Sequence, residues 1–219
     1  NNSSFRYETT VGAGLPVIST IQNLQQSGDT IHKISGVVSG TMTYLFNQLE
    51  QGVSFSNAIV DAREKGYAEP DPRDDLSGED VARKFLTLAR TLGFKIERQE
   101  LQVESLIPAE LRNVNKQTFL ERLSDYDQKW SQRIKQAKDN NQTLRYTGRL
   151  ADGQITIGIE SVPKGSPLGQ LSGTDNLIQI SSTLYEQAPL VVQGAGAGRE
   201  VTAAGVLTDI LATAQQISA

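Results

Sequence analysis

Residues 66–84, which read GYAEPDPRDDLSGEDVARK, constrain the fold of this chain more than any other stretch. Pro70 and Pro72 exclude a regular helix from the first half, because each proline lacks a main-chain donor and restricts the residue before it. The same half carries one arginine, Arg73, and four carboxylates: Glu69, Asp71, Asp74 and Asp75. The sequence therefore predicts a rigid, extended, acidic loop that leads into a helix.

The helix predicted from about Ser77 to Thr91 has a wide apolar stripe. The stripe consists of Val81, Ala82, Phe85, Leu86, Leu88, Ala89 and Leu92. Asp80 and Lys84 are four residues apart and border this stripe, so we expect the lysine to be half-buried beside the aspartate. Ser77 and Asp80 also match a capping box loosely, which gives Asp80 an alternative, purely structural role.

Carboxylates around a half-buried lysine are compatible with three kinds of site. They can chelate a divalent metal for phosphoryl transfer, although the sequence has no Walker-type phosphate loop. They can bind the ammonium of an amino-acid substrate while the lysine polarises or protonates a carbonyl or alkoxide. They can also form a solvated interface loop without chemistry. We favour the amino-acid site because Lys84 is expected to be half-buried.

Composition excludes several other classes of protein. The 219 residues suffice for one large or two small domains, and 21 basic against 25 acidic residues argue against a nucleic-acid partner. The absence of cysteine excludes disulfides and thiolate chemistry, and fits a reducing compartment. The single histidine, His32, lies in a strand-like segment, which argues against a Ser-His-Asp triad. No apolar run approaches a membrane span and no signal peptide is visible, so we expect a cytoplasmic protein that does not bind membranes.

The remaining patterns alternate between helices and strands. Helices are predicted from Pro16 to about Gln26, over Met42–Gln51 and Ser54–Lys65, as one or two surface helices within Gln117–Lys138, and from Arg199 to about Ile217. Strands are predicted within Phe5–Leu15, over Thr30–Val38, Leu101–Leu106, Leu177–Ser182 and Leu190–Gln193, and as a hairpin of Thr143–Leu150 and Gln154–Val162. Tyr126 and Trp130 are expected in the core.

Three short motifs have both a structural and a functional interpretation. Ser39-Gly40-Thr41 can present helix N-terminal amides to a ligand or simply cap the helix. Glu8 precedes a Gly-Ala-Gly turn, where it can be a solvated strand-end residue. The glycines that end at Gly198 can admit a ligand close to the backbone or form a plain turn. Neither glycine motif completes GxGxxG, because Val17 and Arg199 occupy the sixth positions.

Four blocks of the sequence resemble homoserine dehydrogenase. They are YETTVGAGLPVI, SGVVSGTMTYLF, GYAEPDPRDDLSGEDVARK and QGAGAGREVTAAGVL, and the resemblance extends from residue 5 to about 211. The loop EPDPRDDLSG, and the end of the chain after its last helix, make it most similar to the form fused behind an aspartate kinase. The family interconverts L-aspartate 4-semialdehyde and L-homoserine with NADPH or NADH, in the biosynthesis of threonine, methionine and isoleucine.

The resemblance implies a role for each residue that matches the family's motifs. Lys84 would donate the proton to the forming alkoxide, with Asp80 as its acidic partner. Substrate binding is implied for Glu69 and Asp75, through the ammonium, and for the pocket-lining residues Tyr67, Thr41 and Gly40. Gly198 would contact the nicotinamide cofactor. A monovalent cation, usually sodium, would bind Glu8 and the main-chain carbonyls of Val11, Ala13 and Leu15.

The resemblance also implies an α/β (α+β) fold, with a mixed sheet covered by helices. Residues 1–4 would be a linker or expression remnant, residues 5–193 a substrate-binding, catalytic and dimerisation domain, and residues 194–219 a glycine-rich turn and a helix that packs on a nucleotide-binding domain.

We expect that nucleotide-binding (Rossmann) domain, and a kinase domain, upstream of residue 1. The chain alone would then turn over little substrate. We also expect a homodimer. The alternative is a non-catalytic dimerisation or scaffold module of the same family.

Overall fold

The computed structural model describes residues 5–218, in which helices and strands follow one another in mixed order. The α-helices are α1 (Thr9–Gly12), α2 (Val17–Gln26), α3 (Gly40–Glu50), α4 (Phe55–Glu64), α5 (Arg73–Leu76), α6 (Glu79–Thr91), α7 (Lys116–Arg122), α8 (Asp127–Asp139) and α9 (Arg199–Ser218). The strands are β1 (Ile31–Val37), β2 (Gln102–Val103), β3 (Gln142–Ala151), β4 (Gln154–Pro163), β5 (Asp175–Ser182) and β6 (Leu190–Ala195). Short 3-10 segments occupy Arg98–Glu100, Ala109–Leu111 and Leu123–Tyr126.

The strands of residues 5–218 form a mixed sheet in the order β2-β4-β3-β1-β5-β6. All pairs are antiparallel except β2 with β4. The predicted hairpin is confirmed as β3 and β4, with Leu150 opposite Ile155. Its turn residues, Asp152 and Gly153, both have positive φ, as a two-residue hairpin turn requires. The predicted α/β (α+β) class with a mixed sheet is therefore confirmed in its α+β form.

The main core lies between one face of the sheet and the helices α3, α6 and α8. The amphipathic pattern predicted for α6 is confirmed, because Val81, Phe85 and Leu88 are buried. The ring of Phe85 lies so close to Gly148 of β3 that a Cβ atom at residue 148 would overlap it. Helix α6 is thus in direct contact with the backbone of the sheet.

The opposite face of the sheet is covered in part by residues 163–172. Leu168 and Leu171 pack there with Val37 and Leu177. Arg145, whose exposure is only 1%, donates from this face to the main-chain oxygens of this segment, including Leu168 O at 3.0 Å. The buried guanidinium is therefore satisfied by carbonyl groups and fixes the segment that leads into β5.

The two aromatic residues predicted for the core lie around α8. Trp130 is buried, and its ring stacks on that of Phe55 with a centroid separation of 4.6 Å. Tyr126 packs at the edge of the same core and donates its hydroxyl hydrogen to Glu110, at 2.9 Å. The expectation is confirmed for Trp130, whereas Tyr126 is only partly buried and lies at the edge of the core.

Three predictions about local structure are wrong. The strand expected within Phe5–Leu15 is the short helix α1 instead, because Glu8 turns inward to α2 and Ala13, with φ of 51°, reverses the chain. Helix α6 begins after Gly78 rather than at Ser77, and the capping box with Asp80 does not form. The loop was expected to be extended, but its residues 73–76 form α5. Pro72 precedes this helix, at a position where no helical hydrogen bond needs the N–H that proline lacks.

Some boundaries also differ from those expected. Strand β2 covers only two residues of the predicted Leu101–Leu106. Strand β6 continues through Gly194 and Ala195, so the glycine turn expected from residue 194 begins at Gly196. The linker expected at residues 1–4 lies outside the described residues. Within residues 5–218, no helix is both long and apolar enough to cross a bilayer.

Candidate active site

Lys84 projects from the first half of α6 toward the end of β1. Its ammonium donates to the main-chain oxygen of Val38 at 2.7 Å and lies 2.8 Å from a carboxylate oxygen of Asp80. The side chain of Lys84 is 19% exposed, whereas that of Asp80 is 47% exposed. An ammonium has three donors, so one N–H remains for a ligand oxygen after these two contacts. The predicted half-buried pair is therefore confirmed.

Asp75 connects three parts of the candidate site. One carboxylate oxygen lies 2.9 Å from the hydroxyl of Thr41 on α3, and the other accepts from the main-chain N–H of Glu69 at 2.8 Å. Burial raises the pKa of Asp75, although these two hydrogen bonds oppose the increase. The carboxylate thus fixes the acidic loop against α3.

The neighbouring loop residues are more exposed than Asp75. Glu69 is exposed, and 45% of Tyr67 is accessible. The main-chain oxygen of Tyr67 lies 2.5 Å from the Thr41 hydroxyl, which has one hydrogen to share between this oxygen and Asp75. The structure therefore brings together Thr41, Asp75 and main-chain groups of Tyr67 and Glu69, and Glu69 is exposed to solvent.

The N-terminus of α3 joins this cluster to Lys84. Only Ser39 and Gly40 separate Val38, the acceptor of Lys84, from Thr41, the partner of Asp75. Ser39 caps α3 by accepting from the N–H of Met42 at 3.3 Å, so the capping interpretation of this motif is confirmed. A Cβ atom at Gly40 would lie 3.0 Å from the main-chain oxygen of Thr174, which shows that the segment before β5 is close to the same terminus.

Asp71 and Asp74 belong to the scaffold of the acidic loop. Both carboxylate oxygens of Asp71 accept from Arg73, at 2.9 and 2.6 Å, and Arg73 also donates to the main-chain oxygen of Val114 at 2.6 Å. These hydrogen bonds hold the pKa of Asp71 below its usual range. The main-chain oxygen of Asp74 accepts from Ser77, and its side chain is exposed.

Asn176 is a feature of this region that sequence reasoning missed. It lies on β5, opposite Gly194 of β6, and is 1% exposed. Neither its amide nitrogen nor its amide oxygen has a hydrogen-bond partner among the described residues. A Cβ atom at Gly196 would overlap this amide group, so the glycine segment before Gly198 lies directly on it. No sequence pattern marks Asn176, because strand pairing creates its environment.

Glu8 has a different environment from the solvated one considered as an alternative. It is 8% exposed, and its two oxygens accept from the N–H groups of Ile18 at 2.7 Å and Ser19 at 2.8 Å. These amides belong to the first turn of α2, where a helix N-terminus favours negative charge. The solvated interpretation is wrong.

No metal cage of side chains is present within residues 5–218, since no three of their His, Asp and Glu residues are grouped suitably. His32 is exposed on β1 and lies 3.1 Å from the hydroxyl of Thr183, as a strand residue rather than a member of the Lys84 cluster. The geometry of the site thus consists of an oriented lysine beside an acidic loop.

Comparison with known proteins identifies close relatives. Residues 16–211 match the family described as homoserine dehydrogenase. The chain is 44% identical to bifunctional aspartokinase/homoserine dehydrogenase 2 of Zea mays, covering 97% of this chain and 24% of that protein. It is also 44% identical to homoserine dehydrogenase of Saccharomyces cerevisiae, covering 99% of this chain and 62% of that protein. The chain therefore spans less than two thirds of each of these relatives.

Solved structures agree with the sequence relatives. A crystal structure of a Candida auris protein of unknown function has a TM-score of 0.92 at 41% identity, with 96% of this chain and 61% of that one covered. A hyperthermophilic archaeal homoserine dehydrogenase in complex with NADPH has a TM-score of 0.74 at 25% identity, with 99% and 57% covered. Sequence and structure thus point to the same family.

Proposed function

Because the chain belongs to the homoserine dehydrogenase family, we propose that it is the substrate-binding and catalytic part of an enzyme that interconverts L-aspartate 4-semialdehyde and L-homoserine with NADPH or NADH. The observation that carries this proposal is the ammonium of Lys84, held by Val38 and Asp80 with one N–H remaining. An oriented donor of this kind suits the protonation of an alkoxide.

The chemistry divides between the cofactor and this chain. A bound nicotinamide cofactor supplies the hydride that reduces the aldehyde carbon. Lys84 gives a proton to the carbonyl oxygen, which becomes the hydroxyl of homoserine. In the reverse direction the neutral lysine takes the hydroxyl proton. Asp80 and Val38 act by keeping the nitrogen of Lys84 in place.

Glu69 and Asp75 are proposed to bind the substrate ammonium. Glu69 is exposed, and each oxygen of Asp75 already accepts one hydrogen bond but retains a second lone pair. Tyr67, Thr41 and Gly40 would line the same pocket. The shared bonds of Thr41 support this assignment, because they hold the loop and the helix terminus at a fixed separation.

The glycine segment is proposed to hold the nicotinamide end of the cofactor, with Gly198 in contact. Two features support this fit: the amide of Asn176 lacks a partner within the described residues, and Gly196 leaves no space for a side chain above it. Main-chain groups without side chains allow a flat ring to approach closely. The archaeal relative in complex with NADPH supports a nicotinamide cofactor for the family.

Helix α9 is proposed to pack on a nucleotide-binding domain contributed by another part of the protein. Its exposed residues include Val206, Leu207, Ile210 and Leu211, with exposures between 44% and 58%. Such a patch on one helix is typical of a surface that is covered in the whole protein. Residues 5–193 would then be the substrate-binding, catalytic and dimerisation unit, and the names of the Zea mays and Haemophilus influenzae relatives support a linked aspartokinase.

Two further parts of the proposal concern assembly and ions. We propose a homodimer formed through the sheet, near the exposed Val191 of β6.

We also propose a monovalent cation, such as sodium, at the carboxylate of Glu8 and the carbonyls of Val11, Ala13 and Leu15. The burial of Glu8 and the reversed backbone at Ala13 support this cation site.

The decisive test combines turnover with binding. The full-length protein should reduce NADP or NAD when L-homoserine is added, and calorimetry should detect homoserine binding. Glu69→Ala should abolish most of the heat, whereas Glu64→Ala, which removes an exposed carboxylate at the end of α4, should not. Heat that is independent of Glu69, together with no turnover, would favour the scaffold alternative.

A further inference from the structure

A hydrogen-bonded cluster of three side chains lies where α3 meets the end of α4. Tyr44 on α3 donates to the carboxylate of Asp61 on α4. Lys65, which follows α4, donates to the phenol oxygen of Tyr44 at 2.7 Å and to Asp61 at 2.9 Å. The ammonium also lies 5.2 Å from the centre of the Tyr44 ring. One phenol group therefore ties the last turn of α4 to α3.

Tyr67, which lines the candidate substrate pocket, lies two residues after Lys65 of this cluster. The ring of Tyr67 packs against the ring of Tyr44, with a centroid separation of 5.0 Å and an interplanar angle of 57°. The main-chain oxygen of Tyr67 faces the hydroxyl of Thr41. Thr41 and Tyr44 are three residues apart on one face of α3, so this face contacts both the ring and the carbonyl of Tyr67.

The charged side chains of the cluster orient the Tyr44 hydroxyl and add little to the free energy of folding. The side chains of Asp61 and Lys65 are 37% and 50% exposed, and ion pairs this exposed contribute little to folding. Tyr44 is itself buried, so its hydroxyl needs the two partners that it has. Burial and the hydrogen bond to Asp61 raise the pKa of Tyr44, so the phenol remains a donor at neutral pH.

We propose that Tyr44 is a positioning residue for substrate binding. Its hydroxyl, fixed by Asp61 and Lys65, holds the ring against which Tyr67 packs, and thereby sets the place of the Tyr67–Glu69 segment relative to Thr41 and Asp75. This inference rests on the proposed function of that pocket. Lys84 and Gly198 lie on other elements, so the network acts on binding of the amino-acid substrate and leaves proton transfer and cofactor binding intact.

The test uses Tyr44→Phe in the full-length protein, because this change removes the hydroxyl and keeps the ring. We expect KM for L-homoserine and its calorimetric Kd to rise about three- to tenfold, as for the loss of one hydrogen bond. The kcat and the KM for NADP should change less than about twofold. Lys65→Met, at an exposed position, should shift the same constants in the same direction by a smaller factor.

Tyr126→Phe is the matched control. It also removes a phenol that donates to a carboxylate, that of Glu110, but it lies outside the elements that carry the site. Its homoserine constants should equal those of the wild type. Tyr67→Ala completes a double-mutant cycle: if Tyr44 acts through Tyr67, Tyr44→Phe should have little further effect in that background.

The possible outcomes separate this inference from the function on which it rests. Wild-type turnover with unchanged homoserine constants in Tyr44→Phe would overturn the positioning role. Equal losses in Tyr44→Phe and Tyr126→Phe, or full additivity with Tyr67→Ala, would also overturn it, because either result indicates a general effect on folding. A wild-type protein that neither binds nor oxidises homoserine would refute the proposed function first, and this inference with it.

Discussion

The ammonium of Lys84 donates a 2.7 Å hydrogen bond to the main-chain oxygen of Val38, the residue that follows β1. A side chain from α6 is thereby tied to the backbone that leads into α3, where Thr41 contacts Asp75. The lysine and the acidic loop are thus fixed relative to each other through one short segment. This relationship makes the role of Lys84 open to a direct kinetic test.

Lys84→Ala should lower kcat by at least about 100-fold, since a positioned general acid contributes about that much or more. The KM for NADP should change little, because the lysine contacts the reacting oxygen in the proposed mechanism. Steady-state kinetics of the full-length protein measures both constants. Lys135→Ala, an exposed lysine on α8, is the control. A kcat within a few-fold of wild type would remove Lys84 from the mechanism.

Asp71→Asn should destabilise the protein by about 1 kcal/mol at pH 7, because it removes the negative charge and one of the two oxygens that accept from Arg73. Arg73 lowers the pKa of Asp71 in the folded state, so this stabilisation is complete above the unfolded-state pKa, near 3.8, and is lost as pH falls through the lower folded value. Urea unfolding at several pH values should therefore show the two proteins converging in acid. Asp74→Asn, at an exposed neighbour, should show neither effect; a constant difference for Asp71→Asn would refute the assignment.

Gly196→Ala should cost about 1–3 kcal/mol of stability, because its Cβ atom would overlap the amide of Asn176. Binding of the cofactor should weaken as the glycine segment is displaced. Gly165→Ala provides the control, since a Cβ atom there meets nothing within 4 Å. Denaturant unfolding and NADPH fluorescence titration report the two effects. If Asn176→Ala failed to restore stability in the Gly196→Ala background, the contact would not be the cause.

Sodium should raise the melting temperature of the wild type relative to choline at equal ionic strength, if the cation binds near Glu8. Glu8→Gln should abolish this difference and also lose about 1 kcal/mol, because it removes a carboxylate acceptor from the first turn of α2. Asp127→Asn is the matched control: Asp127 accepts from the N–H of Ser56 at 2.8 Å, and its loss should leave the sodium effect unchanged. An identical melting temperature in both salts would refute the cation site while leaving the capping role intact.

Sequence patterns predicted those features that depend on local residues. The β3–β4 hairpin followed from alternation around Asp152-Gly153, and the half-buried position of Lys84 followed from the stripe of α6. The solvated environment considered for Glu8 was wrong, because the turn at Ala13 brings the amides of α2 to its carboxylate.

Other features depend on contacts between segments that are distant in sequence. No sequence pattern predicted the buried environment of Asn176, because β6 and Gly196 create that environment. The sequence of α3 does not indicate a role for Tyr44, because the partners of its hydroxyl, Asp61 and Lys65, come from α4 and the residue that follows it. Tertiary packing, which periodicity does not encode, accounts for these omissions.

The contact between Phe85 and Gly148 affects the position of the Lys84 ammonium. Lys84 precedes Phe85 on α6, so the depth at which the Phe85 ring rests on β3 determines how far the Lys84 nitrogen extends toward Val38. A methyl group at residue 148 would overlap the Phe85 ring, and we expect α6 and the Lys84 ammonium to shift away from the sheet in response. The missing side chain of one glycine in the sheet thus sets the height of α6 above β3, and with it the position of the Lys84 ammonium.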